Sequence, residues 1–391
     1  MRKLLLLASA VVLVDTSFYA AITPLLPQFA DEFGLTKSAA GILVASYAAG
    51  TFAGALPSGW LCAKAGVRPT VLVGLTLLGV TSLAFAFAPS VLVLDIARFL
   101  QGVGAAATWA GAFGWLIGAA PRERRGEVIG TAMAAAIAGA LFGPALGAAA
   151  AALSPELVFS AVPVAAAALA FWALRTPAVP PGGTARLRDL LAAVRQRPIV
   201  GGMWLTTLPG LIFGTLGVLA PLRLDELGAG SVAIAAVFLF AAALEAIVSP
   251  IVGRISDRIG RLPPVIVGLT GATVVLALIP WPERAWVLGV LVIAISPAIG
   301  TLWAPAMSQL SDGAERLALE QGFAFALVNI AWSVGDSVGA AGGGKLGESA
   351  GDEVPYLILA ALCAVTLAGV VAAASNRTET AATEAAGTLP R

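Results

Sequence analysis

The sequence predicts an all-α membrane protein of twelve transmembrane helices arranged in two pseudo-symmetric six-helix bundles, and three observations carry that prediction. Of 391 residues, 59% are hydrophobic and 12% charged, and the mean hydropathy of +0.93 is beyond a soluble globular domain of this size. Apolar runs of about 20 residues, enough to cross a hydrocarbon core of about 30 Å, recur along the whole chain. The second half repeats landmarks of the first at a near-constant offset.

Charged, proline and glycine punctuation places the helices at roughly 4–29, 38–61, 69–88, 90–118, 126–151 and 156–174, then 199–222, 231–252, 262–282, 285–307, 320–343 and 354–374. Arg2, Lys3 and the run Leu4 to Val14 have the layout of a signal peptide. The apolar run, however, continues through Asp15 to Pro27, and losing it would spoil the even helix count, so it is read as the first membrane helix. The chain divides into an N-terminal bundle over 1–174, a cytoplasmic linker over 175–198, a C-terminal bundle over 199–374 and a cytoplasmic tail without regular structure over 375–391. The linker carries Pro177, Pro180, Pro181, Gly182 and Gly183, with room for one surface helix.

Positive charge gives the orientation. With both ends in the cytoplasm, 18 of the 23 Lys and Arg fall on the cytoplasmic side; Lys37, Arg223, Arg284 and Lys345 fall opposite, and Arg98 lies within a span. The expected location is therefore the inner or plasma membrane, multi-pass, with cytoplasmic termini.

The repeat is seen by setting the loop Gly59 to Pro69 against Gly253 to Pro263, an offset of 194, and Arg125-Gly126 against Gln321-Gly322, an offset of 196. Duplicated halves rocking about a central site are a common build for secondary transporters. Gly253, Asp257, Arg258, Gly260 and Arg261 match the loop signature of the major facilitator superfamily, so the chain resembles that family through motif, topology and repeat. The resemblance implies a cytoplasmic gating loop in each half. In the first copy Gly59, Gly66 and Arg68 are kept, but Ala63 stands where the family has Asp and Val67 where it often has a basic residue.

The fifth helix carries Gly130, Gly139, Gly143, Pro144 and Gly147, a spacing that resembles the antiporter signature of drug:proton exporters, with Ala148 replacing the last glycine of the usual pair. Small residues at these intervals allow close helix contact. The fourth helix contains Asp95, Arg98, Gln101, Gly102 and Gly104, similar to the family's intramembrane arginine motif. An arginine at mid-bilayer costs at least about 2.5 kcal/mol, which points it at a wet cavity and a carboxylate. Asp15, about 16 Å along the first helix, lies at matching depth and within reach across a cavity.

Asp15 precedes Pro24-x-x-Pro27 by nine positions, as in the first helix of vesicular amine transporters and their bacterial relatives; that resemblance implies a substrate or proton carboxylate there, beside Tyr19. The eleventh helix, with Asn329 and Gly335-Asp336, resembles the same family's penultimate helix, except that Asn329 stands where the amine carriers have an acid. Asp336, two turns on, and Glu245 in the eighth helix are the other isolated intramembrane acids. Phe18, Trp109, Trp115, Trp204, Phe213, Trp303, Phe325 and Trp332 supply aromatic surface, while Trp281 and Trp286 flank a helix boundary as belt residues.

These residues predict a secondary active transporter that exports small organic or drug-like molecules against an inward flow of protons, with no cofactor and the proton gradient as energy source. The partners expected are a small-molecule substrate, protons and the lipid bilayer, without nucleic acid, and family resemblance implies a monomer. Histidine is absent, so coupling has to run through carboxylates, and Cys62 and Cys363 have no metal spacing. An uptake symporter or uniporter for sugars, organic acids or amino acids is the alternative. A polytopic membrane enzyme is remote, because loop acidic clusters and histidines for metal or phosphate chemistry are missing.

Overall fold

The computed structural model describes residues 1–121, 124–177, 195–316 and 321–387; the side chains of 125–127, 257, 314–315, 321–325 and 376–387 lie outside the description. Among these residues the regular structure is helical: α1 (Arg2–Phe33), α2 (Lys37–Ala65), α3 (Val67–Ala86), α4 (Val91–Ala119), α5 (Arg125–Ala152), α6 (Pro155–Arg175), α7 (Arg197–Glu226), α8 (Ser231–Ile259), α9 (Leu262–Leu278), α10 (Ala285–Arg316), α11 (Gln321–Ala350) and α12 (Glu353–Gly387). By length and composition, ten described helices suffice to cross a membrane; the shorter apolar α9 lies beside them and α11 completes the set.

Local chemistry sets the boundaries. α1 is one expected span broken in two: Arg2–Ala20 gives way to a 3-10 turn at Thr23–Leu25 before helix resumes at Leu26. Pro24 and Pro27 cause the break, since each lacks an N–H and crowds the carbonyl four residues back. Gly34 ends α1 in the left-handed conformation (φ 62°), and Thr36 caps α2 by accepting the Ala39 N–H at 3.3 Å. Gly66 and Gly260, equivalent in the repeat, turn their chains at φ 95° and 91°. The expected irregular tail is corrected: helix α12 runs past Ser375 to Gly387, in keeping with an Ala-, Glu- and Thr-containing sequence that holds no proline before Pro390. Beyond α6 the described chain ends at Pro177 and resumes at Arg195, so most of the expected linker lies outside the described residues.

The surface is inverted relative to a soluble protein. Phe52, Trp60, Phe142, Phe171, Ile247 and Val365 are exposed, whereas Asp15, Arg98, Gln101 and Asp336 are buried. Many helix hydroxyls, such as Thr16, Ser17, Thr51 and Thr206, bond back to the carbonyl four residues earlier, which satisfies them without water. Trp281 and Trp286 are exposed beside the α9–α10 turn, where interface anchors belong.

α2 packs on α11 and α5 on α8 across the two halves, and within them α1 pairs with α5 and α7 with α11. The inter-half contacts gather at the end bearing Lys37, which we call the Lys37 face. There Lys37 Nζ donates to both Asp352 oxygens at 2.8 and 2.7 Å and lies 3.5 Å from Glu226, and the Ser38 N–H donates to Glu348 Oε2 at 2.8 Å. A Cβ at Gly41 would sit 2.6 Å from the Ala340 carbonyl oxygen, so the backbones of α2 and α11 touch. The apolar core on this side draws on both halves, joining Leu25, Phe29 and Leu43 to Leu216, Val218 and Leu224. At the opposite end the polar contacts of Arg68 with the Thr176 carbonyl, Trp115 with the Pro177 carbonyl and Arg261 with Asp312 (2.7 Å) each stay within one half. The molecule is closed at the Lys37 face.

Candidate functional site

Asp15 is carried by α1 at mid-length and is fully buried. Its Oδ2 accepts the Trp109 indole N–H at 2.8 Å from α4 and the Tyr47 hydroxyl at 3.1 Å from α2. Its Oδ1 is buried without a hydrogen-bond partner, an expensive state for a carboxylate oxygen unless a proton or ligand takes it. Gly50 and Gly102 build the frame: each brings its backbone so close to Phe99 or Tyr47, respectively, that a Cβ would collide with a carbonyl, and this seats α2 against α4.

Arg98 is buried one turn of α4 before Gln101. Nη1 donates to Gln101 Oε1 at 3.1 Å and to the Phe18 carbonyl at 3.4 Å, and Nη2 donates to the Tyr19 carbonyl at 3.4 Å. Gln101 passes a bond on to Ser82 Oγ at 3.3 Å. The guanidinium lies 4.9 Å from the Tyr47 ring centroid, a cation–π distance, and Nε has no hydrogen-bond partner. Asp15 and Arg98 do not form a direct ion pair; Tyr47 stands between them, its hydroxyl on the acid and its face on the cation.

The second half contributes through α11. Asp336 is buried, and both of its oxygens accept the Tyr19 hydroxyl at 3.3 Å. Tyr19 also packs against Tyr47, with centroids 4.9 Å apart, and edge-on against Trp332 at 5.3 Å. The cluster thus has an acid from each half, one arginine and four aromatic rings between them. Such an arrangement can hold a proton on either acid and can seat a cationic or aromatic molecule.

The structure therefore brings together Asp15, Tyr19, Arg98, Gln101 and Asp336, while two other expected site residues stand apart. Asn329, seven residues before Asp336, makes none of these bonds, and Glu245 instead accepts the Trp303 indole N–H at 3.1 Å between α8 and α10. Asp95 Oδ1 is buried without a hydrogen-bond partner, one turn of α4 before Arg98. Tyr47 and Ser82 are site residues that sequence reasoning does not find, because neither lies in a recognisable motif.

The glycine motif of α5 is partly a contact. A Cβ at Gly139 would lie 2.5 Å from the Leu13 carbonyl oxygen, and Gly143 and Gly147 meet Ala20 and Ala21 just as closely, whereas Gly130 has open space around it. Of the gating residues, Arg68 bonds the Thr176 carbonyl and Arg261 pairs with Asp312, Arg258 is exposed, Gly59 and Gly253 have open space around them, and the Asp257 side chain lies outside the described residues.

The model of the Major Facilitator Superfamily matches residues 5–319. MFS-type transporter ppzB of Metarhizium rileyi (strain RCEF 4871) is 30% identical over 138 residues, 34% of this chain and 29% of its own. Quinolone resistance protein NorA of Staphylococcus aureus (strain MRSA252) is 29% identical over 126 residues, 32% of each chain. The chain thus spans about a third of the length of the curated relatives it matches. In structure it is similar to a D-xylose-proton symporter, with TM-score 0.75, 18% identity and coverage of 93% of this chain and 96% of that one. A partially occluded, inward-open form of the xylose transporter XylE from E. coli gives TM-score 0.74 at 15% identity, covering 93% and 95%. At these identities the structural likeness is one of fold.

Proposed function

Because the chain belongs to the Major Facilitator Superfamily and is a multi-pass membrane transporter rather than an enzyme, we propose that it exports small organic, drug-like molecules from the cytoplasm in exchange for protons. The observation that carries this reading is the Asp15 carboxylate: fully buried, bonded through Oδ2 and bare at Oδ1, on a framework that reaches Asp336 of the other half. A proton on Asp15 removes the buried charge, a cationic substrate group neutralises it, and a polar donor on the substrate satisfies the bare Oδ1. Proton and substrate therefore compete for one oxygen, which is the requirement for exchange.

With the termini in the cytoplasm, the closed Lys37 face is the outer one, and the cytoplasmic side is the route left for substrate to reach the buried site. Export, rather than uptake, is supported by the likeness to a quinolone resistance protein and by the glycines of α5 packed on α1, the helix that carries Asp15. Arg98 acts at a distance: its charge, delivered through the face of Tyr47, offsets the charge left on the acids once proton and substrate have gone. The protein acts in the plasma membrane, and one chain suffices, since the site draws on both halves of a single copy.

The test uses liposomes with an entrapped pH dye and an imposed proton gradient, challenged with tetraphenylphosphonium, a neutral antibiotic and a sugar. Proton movement evoked by the first two and lost in Asp15→Asn supports the reading. Transport that ignores the gradient, or that Asp15→Asn carries out as well as wild type, overturns it.

A further inference from the structure

Glu245 is an acid within a membrane helix that the exchange cycle of Asp15 and Asp336 leaves unused. It sits at the middle of α8, partly buried, with Oε1 accepting the Trp303 indole N–H at 3.1 Å. Gly300 makes room for it: a Cβ there would lie 3.1 Å from Glu245 Cγ and 3.6 Å from Ser249 Oγ.

Trp303 is not an arbitrary partner. It lies 194 residues after Trp109, the same offset that relates the two gating loops. The packing agrees with that register, because Gly74 meets Gly104 and Thr108 while Gly268, 194 residues on, meets Ala298, again 194 on, and Thr301. Trp109 and Trp303 thus occupy the same place in the two halves, and each donates its indole N–H to a membrane-embedded carboxylate of its own half, Asp15 at 2.8 Å and Glu245 at 3.1 Å. The acids themselves are not repeat-equivalent, since one is on α1 and the other on α8. The tryptophan clamp recurs in both halves, but the carboxylate it holds sits on different helices.

We propose that Glu245, clamped by Trp303, is a proton-binding site of the second half, separate from the Asp15 cluster. Trp303 engages Oε1, so Oε2 takes the proton and the carboxylate becomes a neutral acid without losing the indole bond. Among the described residues the surroundings offer no counter-ion. The nearest charge on α8 is Arg254, nine residues or about 14 Å along the helix. α9 has no titratable residue. Those described on α7 and α10 (Arg197, Arg223, Asp225, Glu226, Asp312 and Arg316) lie toward helix ends, and on α5 Arg125 and Glu127 stand in the first turn, their side chains outside the described residues. On α1, which touches α8 through the Thr23–Leu25 turn, Tyr19 and Asp15 are held in the other cluster, and Arg2, Lys3, Asp31 and Glu32 lie at its two ends. In the export reading, on which this last step rests, Glu245 adds a proton to each cycle.

The test is infrared difference spectroscopy of the purified full chain titrated between about pH 5 and about pH 9, above the ordinary glutamate value of about 4.3. Glu245→Gln removes one protonated-carboxyl band and Asp15→Asn removes a different one. Trp303→Phe keeps the Glu245 band but moves its frequency, because the carbonyl loses its donor. A Glu245→Gln spectrum that superposes on wild type overturns the proposal; if that variant does not fold, an unmoved band in Trp303→Phe overturns it instead. In liposomes, protons moved per tetraphenylphosphonium should fall in Glu245→Gln while exchange persists. If transport ignores the gradient but the Glu245 band is present, the export reading fails and this site stands; the converse pattern rejects this site alone.

Discussion

Tyr19 of α1 donates its hydroxyl to both oxygens of Asp336 on α11, at 3.3 Å each, and so joins the two halves beside the buried acids. The same residue's carbonyl accepts from Arg98 and its ring packs on Tyr47. One side chain therefore touches both acid systems of the site and bridges the surfaces that alternating access has to separate.

Tyr19→Phe keeps the ring contacts and removes the bridge. A hydrogen bond to a charged group is worth about 1.5–3 kcal/mol. The closed form at the Lys37 face should lose that much relative to the open one, a shift of about 10- to 150-fold. Spin-label distances between the outer ends of α2 and α11 would report a longer population. An unchanged distance distribution would show that the bridge carries no conformational weight.

Tyr47 separates Asp15 from Arg98, and its two roles can be divided. Tyr47→Phe retains the cation–π face and loses the bond to Asp15, whereas Tyr47→Ala loses both and opens space for Asp15 and Arg98 to pair directly. The expected order of proton-driven exchange is wild type above Phe above Ala, with Phe reduced about 10-fold from the loss of one charge-assisted bond. If Ala exchanges better than Phe, direct pairing helps rather than traps the acid.

Much of this is legible in the sequence, for identifiable reasons. Lipid leaves helices as long apolar runs, so the spans are readable from hydropathy. Asp15, Arg98 and Asp336 stand out because a charge in such a run is costly. Tyr47 and Ser82 do not, since a tyrosine or serine in a membrane helix is ordinary and their importance arises only when α2 and α3 fold against α4. The breaks are uneven as well: Pro24 and Pro27 are visible, but whether they bend or interrupt α1 depends on how Ala21 and Ile22 settle. The glycines carry a further readable signal, because Gly139, Gly143 and Gly147 recur 196 residues on as Gly335, Gly339 and Gly343.

That recurrence has a consequence for stability. Gly139 meets Leu13 and Ser17, and Gly335 meets Thr207 and Leu211, each pair 194 residues apart, so α1–α5 and α7–α11 are the same backbone contact built twice. Gly143→Ala and Gly339→Ala should each destabilise by about 1–3 kcal/mol through overpacking. Gly130→Ala, with open space, should be neutral or stabilising by up to about 1 kcal/mol. Thermal unfolding in detergent measures all three. A Gly130→Ala loss equal to the others would mean that the motif acts through helix flexibility rather than contact.

The latch on the Lys37 face decides how firmly that closed state is held. Lys37 reaches Asp352 and Glu226 from the other half, with the pair to Asp352 about a quarter exposed on each side (28% and 20%), so water and salt screen it only in part. A pair of this kind is worth about 0.2–1 kcal/mol, which bounds the shift from Lys37→Ala at about fivefold toward the open form. The backbone bond from Ser38 to Glu348 survives that substitution and keeps the effect modest. Raising salt to about 1 M, where the Debye length falls to about 3 Å, should bring wild type toward the variant and leave the variant unchanged. Paired spin labels across the face, read at low and high salt in wild type, Lys37→Ala and Lys37→Ala/Asp352→Ala, separate the contributions. A double variant more open than Lys37→Ala would show Asp352 acting through a partner other than Lys37, whereas equal populations would show that Asp352 acts in the latch through Lys37 alone.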